Sequence, residues 1–218
     1  MNPPNRQVDE ALSATKRILE SEDVALIISL MAAHESSEGV QEAGCSSLQN
    51  IGYNAENRVA IATKGGIEAV LRAMGAHGSS AGVQQAGCAA LHNLAINPEN
   101  RVAIFTQGGL DAVVSAMGAH ESNEEVQQAG CFALINLAAK NDENNVAIAG
   151  KGGIEAVVRA MAAHESSAGV QDAGCWALGN IASCGSGLSL QVREADAVPL
   201  VKKALSAFPN DWSLQFHG

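Results

Sequence analysis

The sequence predicts an all-α solenoid in which similar units of three helices stack one after another. The first observation is a motif, Val-Gln-x-Ala-Gly-Cys-x-x-Leu-x-Asn, that recurs every 43 or 44 residues. A fixed period of this length is typical of repeat architectures, whose units bury their apolar faces against their neighbours. The second is an apolar spacing of three and four residues inside each unit, which is the period of an α-helix. The third is the composition, because 47% hydrophobic but only 3% aromatic residues favour helices that pack closely through small side chains.

One complete unit, over residues 56–97, shows the order of the elements. A short first helix, 56–64, ends at a Gly-Gly pair, and glycine just past the last turn is a common helix stop. The second helix, 67–77, has apolar residues at i, i+3, i+4 and i+7, which form one face. The third helix begins near Ala81 and ends before Pro98, because proline cannot continue a helix.

The same pattern divides most of the chain. The predicted units lie near residues 8–55, 56–98, 99–141 and 142–185, with a partial unit over 186–218. Together they form one predicted domain over 8–218, which follows a disordered segment over 1–7. The leading helix, 8–19, departs from the pattern of the later first helices, as expected of an N-terminal cap. In the partial unit, two helices are expected within 193–208.

The C-terminal residues Trp212, Leu214 and Phe216 are expected to begin a third helix without a following unit to cover them. Uncovered apolar side chains promote association between copies. We therefore expect a monomer, or weak end-to-end self-association through the C-terminal unit.

Glycine and cysteine hold fixed places in every third helix. The glycines are Gly44, Gly87, Gly130 and Gly174, and the cysteines are Cys45, Cys88, Cys131 and Cys175. A glycine inside a helix costs about 1 kcal/mol relative to alanine, so four of them predict a neighbouring helix too close for a Cβ. Equivalent cysteines on stacked helices lie roughly 8–10 Å apart at the helix axes, so core positions are favoured over disulfides. The Val-Gln-x-Ala-Gly-Cys half of the motif is accordingly expected to pack between neighbouring units.

The net charge of −10 argues against nucleic acid as the ligand and permits a basic partner. No stretch is apolar for long enough to span a membrane, and no apolar run that would serve as a signal peptide follows the N-terminus. These features predict a protein of the cytoplasm or nucleus that is not secreted and has no membrane partner.

Four histidines recur at the ends of the second helices, one in each unit. They are His34, His77, His120 and His164. Because metal ligands must converge on one point, this spread favours groups at helix C-termini over a metal site. No spacing suggests a catalytic pair either, so no catalytic residue, metal or cofactor is predicted. An enzyme would need an apolar pocket with perturbed titratable groups.

The unit order, the Gly-Gly pair and the Ala-Leu-x-Asn ending of the third helix resemble the armadillo repeat, over nearly the whole chain. A HEAT array, the nearest alternative, lacks the separate short first helix. The resemblance implies a right-handed superhelix whose third helices line a concave groove. In armadillo families of the importin-α and β-catenin type, extended peptides lie in that groove on a ladder of asparagines. The matching residues here are Asn50, Asn93, Asn136 and Asn180.

In importin-α a tryptophan precedes each of these asparagines by four residues. Only Trp176 matches fully, Phe132 matches in part, and Ser46 and Ala89 depart from the pattern, which argues against nuclear-import cargo. Residues four apart share a helix face, so further side chains are expected beside the ladder. These further groove residues are Gln85, Gln128, Asp172, Glu42 and His92. The alternative role for the asparagines is structural, as partners of backbone groups near each helix end.

The sequence thus favours a non-enzymatic scaffold that binds a partner protein or an extended, basic peptide along the third helices. Asparagine amides would hold the peptide main chain, and the aromatic faces would hold basic or aromatic side chains. One alternative is a regulatory docking domain of a larger protein, of the kinase or ubiquitin-pathway type. Another is a designed or consensus-derived repeat array.

Overall fold

The computed structural model describes residues 3–139, 142–183 and 185–218, and over these residues the chain forms fifteen helices and no strand. The prediction of an all-α fold is therefore confirmed. The chain divides into two compact units, Met1–Ala112 and Val113–Gly218. Whether the predicted 8–218 domain is one body stays a prediction.

The helices follow one another in groups of three. The first compact unit contains α1 (Pro3–Leu19), α2 (Val24–Ala33), α3 (Glu38–Ile51), α4 (Ala55–Thr63), α5 (Gly66–Ala76), α6 (Ala81–Leu94), α7 (Pro98–Thr106) and the start of α8 (Gly109–Ala119). The second compact unit contains the rest of α8, α9 (Glu124–Ala138), α10 (Asp142–Gly150), α11 (Gly153–Ala163), α12 (Ala168–Ala182), α13 (Ser186–Glu194), α14 (Ala197–Ala207) and α15 (Trp212–His217). In the three groups from α4 to α12, a short first helix is followed by a second helix and a longer third helix, in the predicted order.

Local sequence sets the helix ends. Gly65 adopts a φ of 84°, a left-handed conformation that glycine tolerates, and so separates α4 from α5. Pro98 occupies the first turn of α7, where its missing N–H costs nothing. The side chain of Asn97 accepts a hydrogen bond from the backbone N–H of Asn100 and caps the same helix.

A contact between glycine and methionine spaces the second and third helices of each complete unit. A Cβ on Gly87 would lie 2.5 Å from Cγ and 2.7 Å from Sδ of Met74. The same contact recurs at Gly44 with Met31, Gly130 with Met117 and Gly174 with Met161. The prediction of a close approach at these glycines is confirmed, and the approaching group is a side chain of the second helix.

A glutamine clamp joins the same two helices. Nε2 of Gln84, which is buried, donates to the backbone oxygens of Met74 at 2.8 Å and His77 at 3.0 Å. Equivalent bonds are made by Gln41, Gln127 and Gln171. The sequence predicted that the Val-Gln-x-Ala-Gly-Cys half of the motif packs between neighbouring units. This prediction is wrong for its glutamine and its glycine. Both act within one unit, because the end of the second helix leaves carbonyl groups that need donors.

The N-terminal cap differs from the expected first helix. Helix α1 begins at Pro3 rather than at residue 8, so it extends into the segment predicted to be disordered, whose residues 1 and 2 lie outside the described residues. It packs against α3, where the Oγ of Ser47 donates to the backbone oxygen of Ile18 at 3.5 Å. The third helices α3 and α6, and likewise α9 and α12, pack against each other in this way, so α1 occupies the position of a third helix.

The C-terminal helices correct two expectations. The first helix of this unit, α13, already begins at Ser186, whereas the sequence pattern indicated helices only from residue 193. Leu214 is fully buried, whereas Trp212 and Phe216 are 82% and 80% exposed. Residues 212 and 216 share a face of α15, and residue 214 lies on the opposite face toward the core.

The repeated cysteines fill the core as predicted. Cys45, Cys88, Cys131 and Cys175 are all buried, and none of the four forms a disulfide. Among the described residues, no single helix has the length and apolar composition needed to cross a membrane. Helices α7 and α8 have this length and apolar composition only when they are taken together, and the chain bends by 71° between them.

Candidate functional site

The aromatic anchor predicted for the groove lies on α12 of the second compact unit. Trp176 is 38% exposed, which is unusual for a large apolar side chain in this array of buried third-helix residues. Asp172 precedes it by one helical turn and Asn180 follows it by one turn, so all three share a face of α12. This face combines an aromatic surface, a carboxylate and an amide.

Residues of α15 pack against this face. The imidazole ring of His217 stacks on the indole of Trp176, with 4.3 Å between ring centroids and 8° between ring planes. Nδ1 of His217 donates to Oδ1 of Asp172 at 2.9 Å, and Oγ of Ser213 donates to both carboxylate oxygens at 3.0 Å. The carboxylate and one face of the indole are therefore both engaged within the chain.

The asparagine ladder contacts neighbouring helices. Nδ2 of Asn93 donates to the backbone oxygen of Gln49 at 2.9 Å, and Asn93 is only 3% exposed. Nδ2 of Asn180, which is half-buried, donates to the backbone oxygen of Ile135 at 3.3 Å. Both oxygens belong to the preceding third helix and not to the local helix end. These amides therefore tie successive third helices together.

The other two asparagines are more accessible than Asn93. Asn50 is exposed on α3 and Asn136 is half-buried on α9. A role in ligand binding stays a prediction for all four, and the burial of Asn93 makes it the least accessible of them.

The remaining predicted groove residues lie along the same third helices. Glu42 is exposed, and its carboxylate lies over the first turn of α6, where a Cβ on Gly82 would meet Oε2 at 2.5 Å. The amide of Gln128 covers Gly169 in the first turn of α12 in the same way. Half-buried positions are held by Gln85, His92, Gln128 and Phe132. Glu42 and Gln128, which hold the position of Asp172 in their units, thus cover the start of the next third helix.

Solved structures of similar fold include engineered proteins. One engineered protein from the Northeast Structural Genomics Consortium gives a TM-score of 0.80 at 25% identity, over 97% of this chain and 86% of its own. A second from the same consortium gives 0.77 at 28% identity, over 96% of this chain and 84% of its own. A designed armadillo repeat protein in complex with the peptide (KR)4 gives 0.76 at 21% identity, over 98% of this chain and 89% of its own. The chain has an armadillo-like repeat fold. No protein-family model matches the sequence, and no curated protein matches it.

Two features of the armadillo-like units went unrecognised in the sequence. The glutamine clamp was visible as a Val-Gln pair in each of the four complete units, but its carbonyl partners belong to another helix. The recurrent histidines also do more than end a helix. Nε2 of His77 donates to the backbone oxygen of Glu35 at 2.7 Å, and Nε2 of His164 donates to that of Glu121 at 2.8 Å. Because a carbonyl oxygen only accepts, the proton is on Nε2 in both rings.

A cleft and the buried thiols lie in separate places in these armadillo-like units. One cleft, of about 940 Å³, lies between α10, α11 and α13, and its walls combine charged residues with apolar ones such as Val146, Val158 and Leu188. The thiols whose pKa is raised by burial, Cys45, Cys88 and Cys175, are core groups and do not line it. Within the described ranges, no three His, Cys, Asp or Glu side chains come together as a metal site would require.

Proposed function

We propose that this chain is a non-enzymatic protein-binding scaffold that holds an extended, basic peptide along the third helices of its second compact unit. The observation that carries the proposal is the partly exposed Trp176 one turn from Asp172 on α12. An indole face attracts a lysine or arginine side chain, and a nearby carboxylate adds charge attraction. The similar fold of a designed armadillo repeat protein in complex with (KR)4 supports a peptide of this kind.

The neighbouring third-helix residues extend the proposed surface. Phe132 offers a second aromatic face on α9, and Asn136 and Asn180 offer amides one turn after Phe132 and Trp176. An amide both donates and accepts, so it binds a peptide main chain without regard to sequence. The net charge of −10 favours association with a cationic partner.

The test measures the affinity of the whole chain for a fluorescently labelled (KR)4 peptide at physiological salt. In a variant with both Asn136→Ala and Trp176→Ala, we expect the affinity to fall about tenfold or more, because tryptophan anchors dominate such surfaces. Tyr53→Ala is the matched control, since Tyr53 is an exposed aromatic residue in a turn of the first compact unit. A folded double variant that binds as tightly as the parent would refute the proposal.

The similarity to engineered and designed proteins supports one further possibility, that the chain is itself a designed or consensus-derived array. This origin leaves the proposed surface unchanged, because the surface depends on the side chains of α9 and α12. A docking domain of a larger protein would use the same surface.

A further inference from the structure

Two departures from the repeat pattern meet on α12 and α15. The position of Trp176 is occupied by smaller or different residues in the earlier units, namely Ser46, Ala89 and Phe132. His217 stands where the other third helices all have alanine, at Ala43, Ala86, Ala129 and Ala173. A regular unit would thus place a methyl group where this chain places an imidazole ring against an indole.

The contact uses both groups that the proposed site offers to a cation. The imidazole of His217 covers one face of Trp176, and its Nδ1 bonds to the carboxylate of Asp172. The side chains of His217 and Asp172 are only 15% and 18% exposed. A lysine or arginine side chain that stacked on this face of the indole would compete with His217 for the indole and for the carboxylate of Asp172.

Helix α15 is held in place by other bonds as well. Nε2 of Gln215 donates to the backbone oxygens of Leu205 at 2.9 Å and Phe208 at 3.2 Å, which repeats the glutamine clamp. The carboxylate of Asp211 caps the N-terminus of the helix by accepting from the backbone N–H of Leu214 at 3.2 Å. Removing the His217 side chain therefore leaves α15 anchored to α14.

We propose that His217 is an intramolecular latch that competes with a cationic peptide side chain for Trp176 and Asp172. This inference rests on the proposed function, and it adds a means of regulating that site. A peptide binds fully only when the imidazole leaves the indole. The apparent affinity is then lowered by the fraction of molecules in which the latch is closed.

The test measures binding of the (KR)4 peptide to the whole chain with His217→Ala, which restores the residue of the other units. We expect the affinity to rise about tenfold, because the peptide no longer displaces a stacked and hydrogen-bonded ring. A second variant, Ser213→Gly, removes one of the donors to Asp172 and introduces the glycine that earlier third helices have at this position, as at Gly82 and Gly169. We expect a smaller rise in affinity for this variant. Leu190→Ala, on the exposed face of α13, is the control and leaves the affinity unchanged.

A second measurement needs no peptide. In the NMR spectrum, stacking on the indole shifts the ring protons of His217 upfield, and Trp176→Leu removes this shift. Equal affinity of the parent and His217→Ala, weaker binding by His217→Ala, or the absence of the upfield shift would each overturn the latch while leaving the scaffold function standing. If no variant binds the peptide although the shift is present, the scaffold function itself fails, and the latch fails with it.

Discussion

At the scale of single residues, the repeated glycine is a packing requirement. At Gly87 the missing Cβ makes room for Cγ and Sδ of Met74, which would otherwise lie at 2.5 Å and 2.7 Å from it. Real non-bonded carbon atoms pack best at about 3.5–4.0 Å, so an added methyl forces the methionine or the helix to move. The interior is close-packed, and this movement disturbs the neighbouring side chains as well.

Gly87→Ala should therefore destabilise the protein by about 1–3 kcal/mol through overpacking, even though alanine favours helix. Gly75→Ala is the matched control, because Gly75 lies in α5 and a Cβ there meets open space. This control should stabilise the protein by about 0.5–1 kcal/mol. Urea unfolding of both variants gives the comparison, and equal stability of Gly87→Ala and the parent would contradict the packing role.

The buried thiols link stability to alkaline pH. Burial raises the pKa of Cys88 from 9.0 to about 12, and burial together with the charges of Cys88 and Glu42 does the same for Cys45. Above pH 9 the unfolded chain loses these protons while the native chain keeps them. The free energy of unfolding then falls as pH rises from 9 toward 12, by up to about 1.4 kcal/mol per pH unit for each thiol.

In Cys88→Ala, the free energy of unfolding should fall less steeply with pH, by up to about 1.4 kcal/mol per pH unit, because one titrating thiol is removed. The measurement is urea unfolding of the parent and the variant at several pH values from 8 to 11, so that tyrosine and lysine titrations cancel in the difference. Parallel curves for the two proteins would show that the thiol of Cys88 ionises equally in the native and unfolded states.

At the scale of helices, each unit depends on how its second helix ends. The last carbonyl groups of α5 point to the core side, where water is scarce, and Gln84 supplies both missing hydrogen bonds. In the C-terminal unit, Gln215 makes the same bonds to Leu205 and Phe208 but is exposed. The clamp is therefore expected to contribute more to the free energy of unfolding where it is buried than where water reaches it.

Gln84→Ala should cost about 1–3 kcal/mol, because it leaves buried carbonyl groups without a donor. Gln215→Ala should cost about 0.5 kcal/mol or less, since water replaces the lost bonds at an exposed site. Thermal and urea unfolding of both variants test the difference, with Gln85→Ala as a neighbouring control. Similar losses for Gln84→Ala and Gln215→Ala would show that burial does not set the strength of the clamp.

The helices of the regular units could be predicted from the sequence because glycine pairs, proline and the apolar spacing mark their ends. The start of α13 could not, because its sequence lacks the Glu-Asn-x-Val-Ala-Ile pattern of the earlier first helices. Its buried residues, Leu188 and Val192, are spaced by one turn, which is too short a pattern to identify a helix alone.

At the scale of the whole molecule, exposed large apolar side chains are spread from Val8 to Phe216, and α15 carries the two most exposed of those described. Trp212 and Phe216 form an exposed apolar face on α15, and exposed aromatic pairs of this kind favour association. The net charge of −10 opposes association at low salt, so contacts between copies are expected to be weak.

We predict that the parent protein associates weakly at high concentration and that Trp212→Ser together with Phe216→Ser abolishes this. Sedimentation equilibrium over a range of concentrations measures the effect, and added salt should strengthen the association of the parent by screening its charge. Val146→Ser, at an exposed apolar position on α10, serves as control. An equally self-associating double variant would assign the contact to another surface.

The sequence by itself determined the helical class, the length of the unit, the helix ends of the regular units and the core positions of glycine and cysteine. These follow from local properties, namely the period of an α-helix, the backbone limits of glycine and proline, and recurrence at a constant spacing. Only the tertiary structure decided the partners: Met74 for Gly87, the Gln49 carbonyl for Asn93, and His217 for Trp176. A repeat shows that equivalent residues have equivalent surroundings, but the contacts join residues 10 to 45 positions apart, and only the packed helices bring them together.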